Sequence, residues 1–255
     1  MHTLLDIKAA DRYHSSSQKI RVITESWVGN EIYCPACGFG INHYESNKPV
    51  ADFFCSKCKE EYELKSKKDS FGIKIVDGAY RTMIERLQSD SNPNLFLLSY
   101  SFKNYEVMNF LVIPKHFFTS DIIEKRKPLS SSARRAGWVG CNISLQNIPQ
   151  TGKIFYVKEG NVVPKRDILY KWNKTLFLRE EKEPLEKGWT LDVMNCIDKI
   201  GKKRFNLDEV YAYEGELKQK HPNNKHVRDK IRQQLQYLRD KGYIHFIARG
   251  VYALD

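Results

Sequence analysis

Three charged residues in the first third of the chain, Asp52, Glu63 and Lys65, have the types and spacing needed for metal-assisted hydrolysis. Residues 61–67 alternate in polarity, which predicts a strand with Glu63 and Lys65 on one face. Two neighbouring carboxylates repel each other unless a cation lies between them, and their hard oxygens suit Mg²⁺. We therefore predict a catalytic magnesium site formed by Asp52, Glu63 and the Leu64 carbonyl. Lys65 would hold and help to deprotonate the attacking water.

Four cysteines occur as two pairs beside these residues, Cys34 with Cys37 and Cys55 with Cys58. The two-residue gap within each pair lets both sulfurs of a tight turn face one ion. Four thiolates close a tetrahedral site, so the zinc ion they predict is structural rather than catalytic. Disulfide bonds or unrelated buried thiols are the alternatives. A reducing compartment disfavours the first and the doubled spacing disfavours the second.

The second cysteine pair lies between two β-rich runs, residues 49–55 and 61–67. Two strands joined by a zinc knuckle predict a hairpin with Asp52 on the first strand and Glu63 and Lys65 on the second. Paired strands lie about 4.8 Å apart, so Asp52 is expected to reach the other two side chains.

The acidic residues of this hairpin follow the order of a known nuclease signature. The segment resembles the PD-(D/E)XK signature at Pro49, Asp52 and Glu63-Leu64-Lys65. It departs from the signature where Val50 and Ala51 separate the proline from the aspartate. An alternating Glu/Lys strand is also typical of a solvated face. A metal that fixes this hairpin favours the catalytic interpretation.

The rest of the first 182 residues combines helical and strand patterns. Helices are predicted at residues 18–28 and 77–89, and strands at 95–100, 107–114 and 154–157. This mixture predicts an α/β (α+β) nuclease core with an inserted four-cysteine zinc site.

Residues 130–140 are rich in serine and glycine, which predicts a mobile loop. Arg134, Arg135 and Trp138 in this loop are candidate DNA contacts, because arginine binds phosphates or guanine and an indole packs against a base or methyl group. Alternatively, Trp138 anchors the core and both arginines are solvated.

The last third of the chain is predicted to form a linker followed by a separate, mainly α domain. The predicted elements are a linker at 180–188, helices at 190–200, 208–220 and 225–241, a short extended piece at 202–205, and strands at 243–248 and 251–254. Three helices followed by a hairpin predict a winged-helix domain.

The third of these helices separates an apolar stripe from a basic face. The stripe consists of Val227, Ile231, Leu235 and Leu238. The candidate DNA-binding residues on this helix and at the hairpin tip are Lys225, Arg228, Arg232, Gln233, Gln236 and Arg249. Arg and Gln are side chains that read guanine and adenine in the major groove. A solvated basic face on a protein-binding winged helix is the alternative.

Composition supports a globular protein with a polyanionic partner. The formal charge is +11 and the hydrophobic fraction is 41%. No apolar run approaches the roughly 18 residues of a membrane span, so we expect no membrane partner and a cytoplasmic location. We also expect Cys141 and Cys196 to be buried free thiols. The sequence gives no sign of an obligatory protein partner.

Together these segments resemble the DpnI-type restriction endonucleases, and the resemblance covers nearly the whole chain. It is carried by Tyr33-Cys34-Pro35, Pro49-Val50-Ala51-Asp52-Phe53, Glu63-Leu64-Lys65-Ser66-Lys67-Lys68, Asp77-Gly78-Ala79-Tyr80, Ala133-Arg134-Arg135-Ala136-Gly137-Trp138, Cys196-Ile197-Asp198-Lys199-Ile200 and Ile231-Arg232-Gln233-Gln234-Leu235-Gln236. The resemblance implies a zinc-containing nuclease domain, placed here at residues 1–182, and a methyl-sensing winged helix at 183–255.

The same resemblance implies cleavage of double-stranded GATC sites whose adenine carries an N6-methyl group. Asp52, Glu63 and Lys65 match the family's catalytic positions, and Trp138 matches the aromatic residue that packs against the methyl groups. Two alternatives remain open from the residues alone. One is a zinc-containing winged-helix regulator without catalysis, and the other is a nuclease of this fold that cuts a different modified site.

Overall fold

The computed structural model describes residues 1–45, 51–89, 91–181 and 183–254. Two compact units are present: Met1–Leu145 with Thr151–Asn173, and Gln146–Gln150 with Lys174–Asp255. Pro49 and Val50, which belong to the predicted first strand of the hairpin, lie outside the described residues.

The first unit mixes helices and strands. Its helices are α1 (Ser16–Glu31), α2 (Tyr80–Gln88) and α3 (Lys165–Lys174). Its strands are β1 (Asn42–His43), β2 (Phe53–Phe54), β3 (Glu61–Lys68), β4 (Lys74–Ala79), β5 (Asn94–Tyr100), β6 (Val107–Ile113), β7 (Ile123–Lys125), β8 (Gly140–Ser144), β9 (Ile154–Lys158) and β10 (Asn161–Val162). The strands predicted at 95–100, 107–114 and 154–157 are confirmed as β5, β6 and β9, and the first predicted helix as α1.

A seven-stranded sheet in the order β1-β2-β3-β5-β6-β9-β10 forms the core of this unit. Strands β3 and β5 run parallel, whereas the other pairs are antiparallel. Parallel neighbours need a long crossover, and here the crossover contains β4 and α2. Every residue of β5 is buried, and its Phe96 ring stacks on Tyr62 of β3 with centroids 4.4 Å apart. This packing fixes the position of β3 against the buried strand β5.

A second sheet, in the order β4-β8-β7, carries the crossover strand. The helix predicted at 77–89 is wrong at its start, because Lys74–Ala79 form a strand and α2 begins at Tyr80. Strand β4 pairs with residues 140–144, a partner far along the sequence. Local periodicity contains no information about that partner, so the sequence pattern alone does not predict this strand.

The second unit is mainly helical. Its helices are α4 (Pro184–Ile200), α5 (Leu207–Tyr211), α6 (Glu214–Lys220) and α7 (Val227–Asp240), and its strands are β11 (Arg204–Asn206), β12 (Ile244–Ala248) and β13 (Val251–Leu254). The strands form a sheet in the order β11-β13-β12. This order of elements is the predicted winged-helix arrangement, and the extended piece predicted at 202–205 corresponds to β11, which pairs with the hairpin as a third strand.

Two predictions in this unit are wrong in detail. The proposed linker at 180–188 contains the first turn of α4, because proline fits the first position of a helix, where its missing N–H is not needed. The single helix predicted at 208–220 is two helices, α5 and α6, interrupted at Ala212 and Tyr213. Among the described residues, no helix combines the length and apolarity needed to cross a membrane.

Candidate active site and metal cluster

The four paired cysteines converge on one point. Their sulfur atoms all lie within 4.8 Å of one another. The Sγ atoms of Cys34 and Cys58 are 3.4 Å apart, and those of Cys37 and Cys55 are 3.5 Å apart. Tetrahedral zinc with Zn–S bonds of about 2.3 Å requires sulfurs about 3.8 Å apart, close to these distances. The cluster could therefore hold a metal ion such as zinc, whereas Cys141 and Cys196 are buried free thiols elsewhere.

Each cysteine pair forms the same kind of turn. The Gly38 amide donates to the Cys34 carbonyl at 2.8 Å, and the Lys59 amide donates to the Cys55 carbonyl at 2.9 Å. Both residues that follow the second cysteine have left-handed backbone, with φ of 74° at Gly38 and 63° at Lys59. Glycine adopts this conformation without strain, and the matching turn at Lys59 is an uncommon choice for a residue with a side chain. The two turns present four sulfurs to a common centre.

The cysteine cluster is joined directly to strand β3 through Tyr62. The Tyr62 hydroxyl lies 3.0 Å from Cys34 Sγ, within hydrogen-bond distance. Tyr62 is fully buried, and burial raises the pKa of its hydroxyl well above the ordinary value. Burial likewise raises the pKa of the Cys34 thiol to about 11. Since Tyr62 immediately precedes Glu63, the cluster braces the strand that carries the candidate catalytic residues.

The predicted hairpin is present, with one correction to Asp52. Phe53 pairs with Tyr62 and Phe54 with Glu61, so the first strand is only two residues long. Asp52 lies just before this strand instead of within it. Its amide donates to the Tyr62 carbonyl at 2.9 Å, and its carboxylate accepts the Leu64 amide at 2.7 Å. These two bonds hold Asp52 against β3.

Asp52, Glu63 and Lys65 line one pocket of about 230 Å³. The pocket wall consists of Ala51, Asp52, Glu63, Lys65, Asp77, Gly78, Ala79, Thr82, Met83 and Arg86. The structure therefore brings together the three predicted catalytic side chains. It adds a third carboxylate, Asp77, and a second cation, Arg86.

Lys65 is the centre of the ion pairs in this pocket. Its Nζ lies 2.6 Å from Glu63 Oε1 and 2.8 Å from Asp77 Oδ1, while Arg86 Nη1 lies 4.0 Å from Glu63 Oε2. Burial raises the pKa of Glu63, and the charges of Asp77 and Asp52 add to this rise against the opposing effect of Lys65. Burial alone would lower the pKa of Lys65, but its two carboxylate partners together raise it. Three carboxylates and two cations leave an excess negative charge that favours a bound cation.

Asp77 and Arg86 are pocket residues that were not predicted from the sequence. The sequence pattern predicts Asp77 at the start of a helix, whereas it lies near the end of β4, and Arg86 faces the pocket from α2. The one available signal was Asp77-Gly78-Ala79-Tyr80, which contributes to the family resemblance. The residues alone could not show that Asp77 approaches Lys65, because that depends on the pairing of β4 with β8.

Trp138 lies close to the pocket through the β4–β8 pairing. Ala79, a pocket residue, pairs with Gly140, and a Cβ atom at Gly140 would lie 2.8 Å from two Trp138 ring carbons. The Arg135 guanidinium covers the indole ring at 4.7 Å from the centroid. Trp138 is half-buried, whereas Arg134 and Arg135 are exposed. The indole is only partly buried, and its contact with DNA, like the alternative of a core anchor, stays a prediction.

The loop before Trp138 is closed by its own backbone. The Leu129 amide donates to the Trp138 carbonyl and the Gly137 amide donates to the Leu129 carbonyl, both at 3.0 Å. Gly137 has φ of 76°, which only glycine adopts readily. The base of the loop is therefore defined, and it carries two exposed arginines, of which Arg135 lies over the Trp138 ring.

Helix α7 presents the predicted basic face. Its apolar stripe is buried, as predicted, at Val227, Ile231, Leu235 and Leu238. The residues predicted to contact DNA are all exposed: Lys225, Arg228, Arg232, Gln233, Gln236 and Arg249. Arg228 pairs with Glu214 at 2.7 Å and Arg232 with Asp229 at 3.2 Å. Arg249 precedes Gly250, whose φ of 72° turns the chain between β12 and β13.

Two known family models match this chain, one over each of its two parts. The model described as the Dam-replacing family matches residues 1–181. This chain belongs to the Dam-replacing family. A second model, described as the Dam-replacing HTH domain, matches residues 185–253. The predicted resemblance to DpnI-type enzymes is confirmed, as is the α/β domain followed by a mainly helical one. Membership in the Dam-replacing family supports a restriction endonuclease, and its HTH domain supports DNA binding.

Proposed function

We propose that the protein is a Mg²⁺-dependent endonuclease that hydrolyses double-stranded DNA at GATC sites containing N6-methyladenine. The observation that carries this proposal is the pocket in which Asp52, Glu63 and Lys65 meet beside the cysteine cluster, in a chain of the Dam-replacing family. The target sequence and its methylation come from the family resemblance.

The oxygen donors of the pocket fit a magnesium ion. Asp52 and Glu63 would hold the ion, and the Leu64 carbonyl would be a third ligand. Within a strand, the N–H and C=O of one residue point to the same side, and the Leu64 N–H points to Asp52. When bound, Mg²⁺ would supply Lewis-acid stabilisation of charge on the phosphate and increase the acidity of water.

Lys65 and Arg86 complete the proposed chemistry. Lys65 would orient the attacking water with its ammonium and support loss of the water's proton. Arg86 lies at the pocket wall near Glu63, where a guanidinium can contact two oxygens of the scissile phosphate. The cysteine cluster, with zinc bound, would hold β3 so that these groups stay in register.

The half-buried indole of Trp138 would pack against the methyl group of the target adenine. It is adjacent to the pocket through the Ala79–Gly140 pair, and its ring has both an apolar surface and a neighbouring arginine. The winged-helix domain would bind the same DNA through the exposed face of α7. Arg228 and Arg232 would exchange their carboxylate partners for phosphates or guanines.

The test of this function uses three short duplexes with one GATC site, carrying N6-methyladenine on both strands, on one strand or on neither. We expect cleavage within or beside GATC in the fully methylated duplex, dependent on Mg²⁺ and lost with EDTA. Equal cleavage of all three would retain the nuclease and contradict the methyl requirement. Binding without cleavage of any duplex would favour a regulator that lacks catalysis.

Trp138→Ala is expected to reduce the preference for methylated over unmethylated duplex by about tenfold or more, because a methyl-sized group in an apolar pocket is worth that much discrimination. The measurement is the ratio of single-turnover cleavage rates on the two duplexes. Arg134→Ala in the same loop is the matched control, since a lost phosphate contact should weaken binding to both duplexes alike. An unchanged ratio in Trp138→Ala would remove the indole from methyl recognition.

A further inference from the structure

Strand β4 ends in a bulge beside the pocket. Asp77 pairs with Cys141 and Ala79 with Gly140, so Gly78 is the extra residue of the bulge. Bulges are frequent next to active sites, where they change the direction of a side chain. The fully buried Cys141 thiol lies 3.5 Å from the Gly78 carbonyl and donates to it, which supports the bulge from the neighbouring strand. The bulge at the end of β4 therefore directs the Asp77 side chain into the pocket.

The Asp77 carboxylate is nearly buried and contacts Lys65. Its side chain is only 7% exposed, and its Oδ1 lies 2.8 Å from Lys65 Nζ. Glu63, the other partner of this ammonium, lies on the same strand as Lys65 at 2.6 Å. Asp77 instead comes from the second sheet. A buried carboxylate loses much hydration, so it remains ionised at low cost only when a cation is close.

In the proposed function Glu63 also binds Mg²⁺, whereas Asp77 does not. A carboxylate that holds a divalent cation attracts a nearby ammonium group less strongly. The pairing with Asp77 would then be what retains the Lys65 ammonium. We propose that Asp77 is a positioning residue that fixes Lys65 where the attacking water must be oriented. This inference rests on the role proposed above for Lys65.

The test compares Asp77→Asn and Asp77→Glu with the wild type. Asn keeps an oxygen for Lys65 but loses the charge, so we expect single-turnover cleavage at saturating methylated duplex to fall by about 100-fold. Duplex affinity measured in Ca²⁺ should stay within about threefold. Asp77→Glu restores the charge and should recover cleavage to within about tenfold of the wild type. Cleavage by Asp77→Asn within threefold of the wild type, or no recovery in Asp77→Glu, would overturn the proposal.

Glu124→Gln is the matched control. Glu124 lies on β7 of the same sheet and pairs with Lys74 of β4 at 2.6 Å, outside the pocket. This variant removes a carboxylate–lysine pair from the same sheet, and we expect its cleavage rate to stay within about threefold. A loss as large as that of Asp77→Asn would show that any weakening of this sheet impairs cleavage, and would overturn the specific role of Asp77.

Two further readouts need no cleavage. Mn²⁺ affinity, measured by electron paramagnetic resonance, should change less than about threefold in Asp77→Asn, and a tenfold loss would make Asp77 a metal ligand instead. A thermal double-mutant cycle with Lys65→Met should be non-additive by about 3 °C or more, because each change removes the same contact. Additive shifts would contradict the contact. If the wild type cuts no duplex, the proposed function fails, and this cycle still decides whether Asp77 holds Lys65.

Discussion

Lys65→Ala is expected to lower the single-turnover rate of DNA cleavage by about 10³-fold or more, while affinity for the methylated duplex changes by less than about threefold. Lys65 is the lysine that lines the pocket, and its ammonium lies within hydrogen-bond distance of two carboxylates. Removal of the ammonium leaves Glu63 and Asp77 in place but takes away the donor proposed to orient water. Substrate binding, which we propose to involve the exposed face of α7 as well, should be little affected.

Lys68→Ala is the control for this variant. Lys68 lies on the same strand but is exposed, with its ammonium over the Phe102 ring at 4.4 Å from the centroid. We expect its cleavage rate to remain within about threefold of the wild type, as for an exposed surface lysine.

Asp52→Ala should behave like Lys65→Ala, with cutting abolished and binding intact. Retained cleavage in either Lys65→Ala or Asp52→Ala would remove the assigned active site.

Cys34→Ser is expected to abolish zinc binding by the cysteine cluster and to destabilise the first unit severely. Structural zinc sites of this type contribute on the order of 10 kcal/mol, comparable to the entire stability of a domain. Cys34 also contacts Tyr62 of β3, so its loss should loosen β3 and displace the pocket residues on that strand, Glu63 and Lys65. Zinc content by metal analysis should fall from about one ion per chain to about none, with the melting temperature lowered by about 10 °C or more.

The control for the zinc variant is Cys196→Ala. Cys196 is a buried thiol of α4, outside the cluster, so its replacement should keep one zinc ion per chain. We expect a fall in melting temperature of only a few degrees, from the small cavity created. A Cys34→Ser protein that keeps its zinc and its melting temperature would show that the four cysteines do not form the structural site.

The features predicted best from sequence are those that depend on neighbours along the chain. Glu63 and Lys65 share a face because side chains of a strand alternate, and this holds wherever the strand lies. The metal-binding turns could be predicted for the same reason, because the two-residue spacing within each cysteine pair is enough to indicate a turn that brings both sulfurs together. The buried stripe of α7 followed from helical periodicity, which the burial of Ile231 and Leu235 confirms.

The features that were missed depend on partners far along the chain. The residues after Asp77 have a helical pattern and predict a helix there, whereas pairing with residues 140–144 keeps Asp77 in a strand. Its contact with Lys65 arises only when two sheets meet. The proline at position 184 was assigned to a linker, although the apolar side chains that follow it continue the helix. For Asp77, tertiary packing overrode the local preference, whereas proline at the first helical position is a local signal that the sequence already contains.

The most direct test of the central claim is a plasmid digest with Mg²⁺, performed on one plasmid prepared with and without adenine methylation at GATC. We expect discrete fragments whose ends map to GATC, from the methylated plasmid alone, with wild-type protein but not with Lys65→Ala. Intact methylated plasmid after incubation with folded, zinc-loaded wild-type protein would contradict the proposal, as would equal digestion by Lys65→Ala.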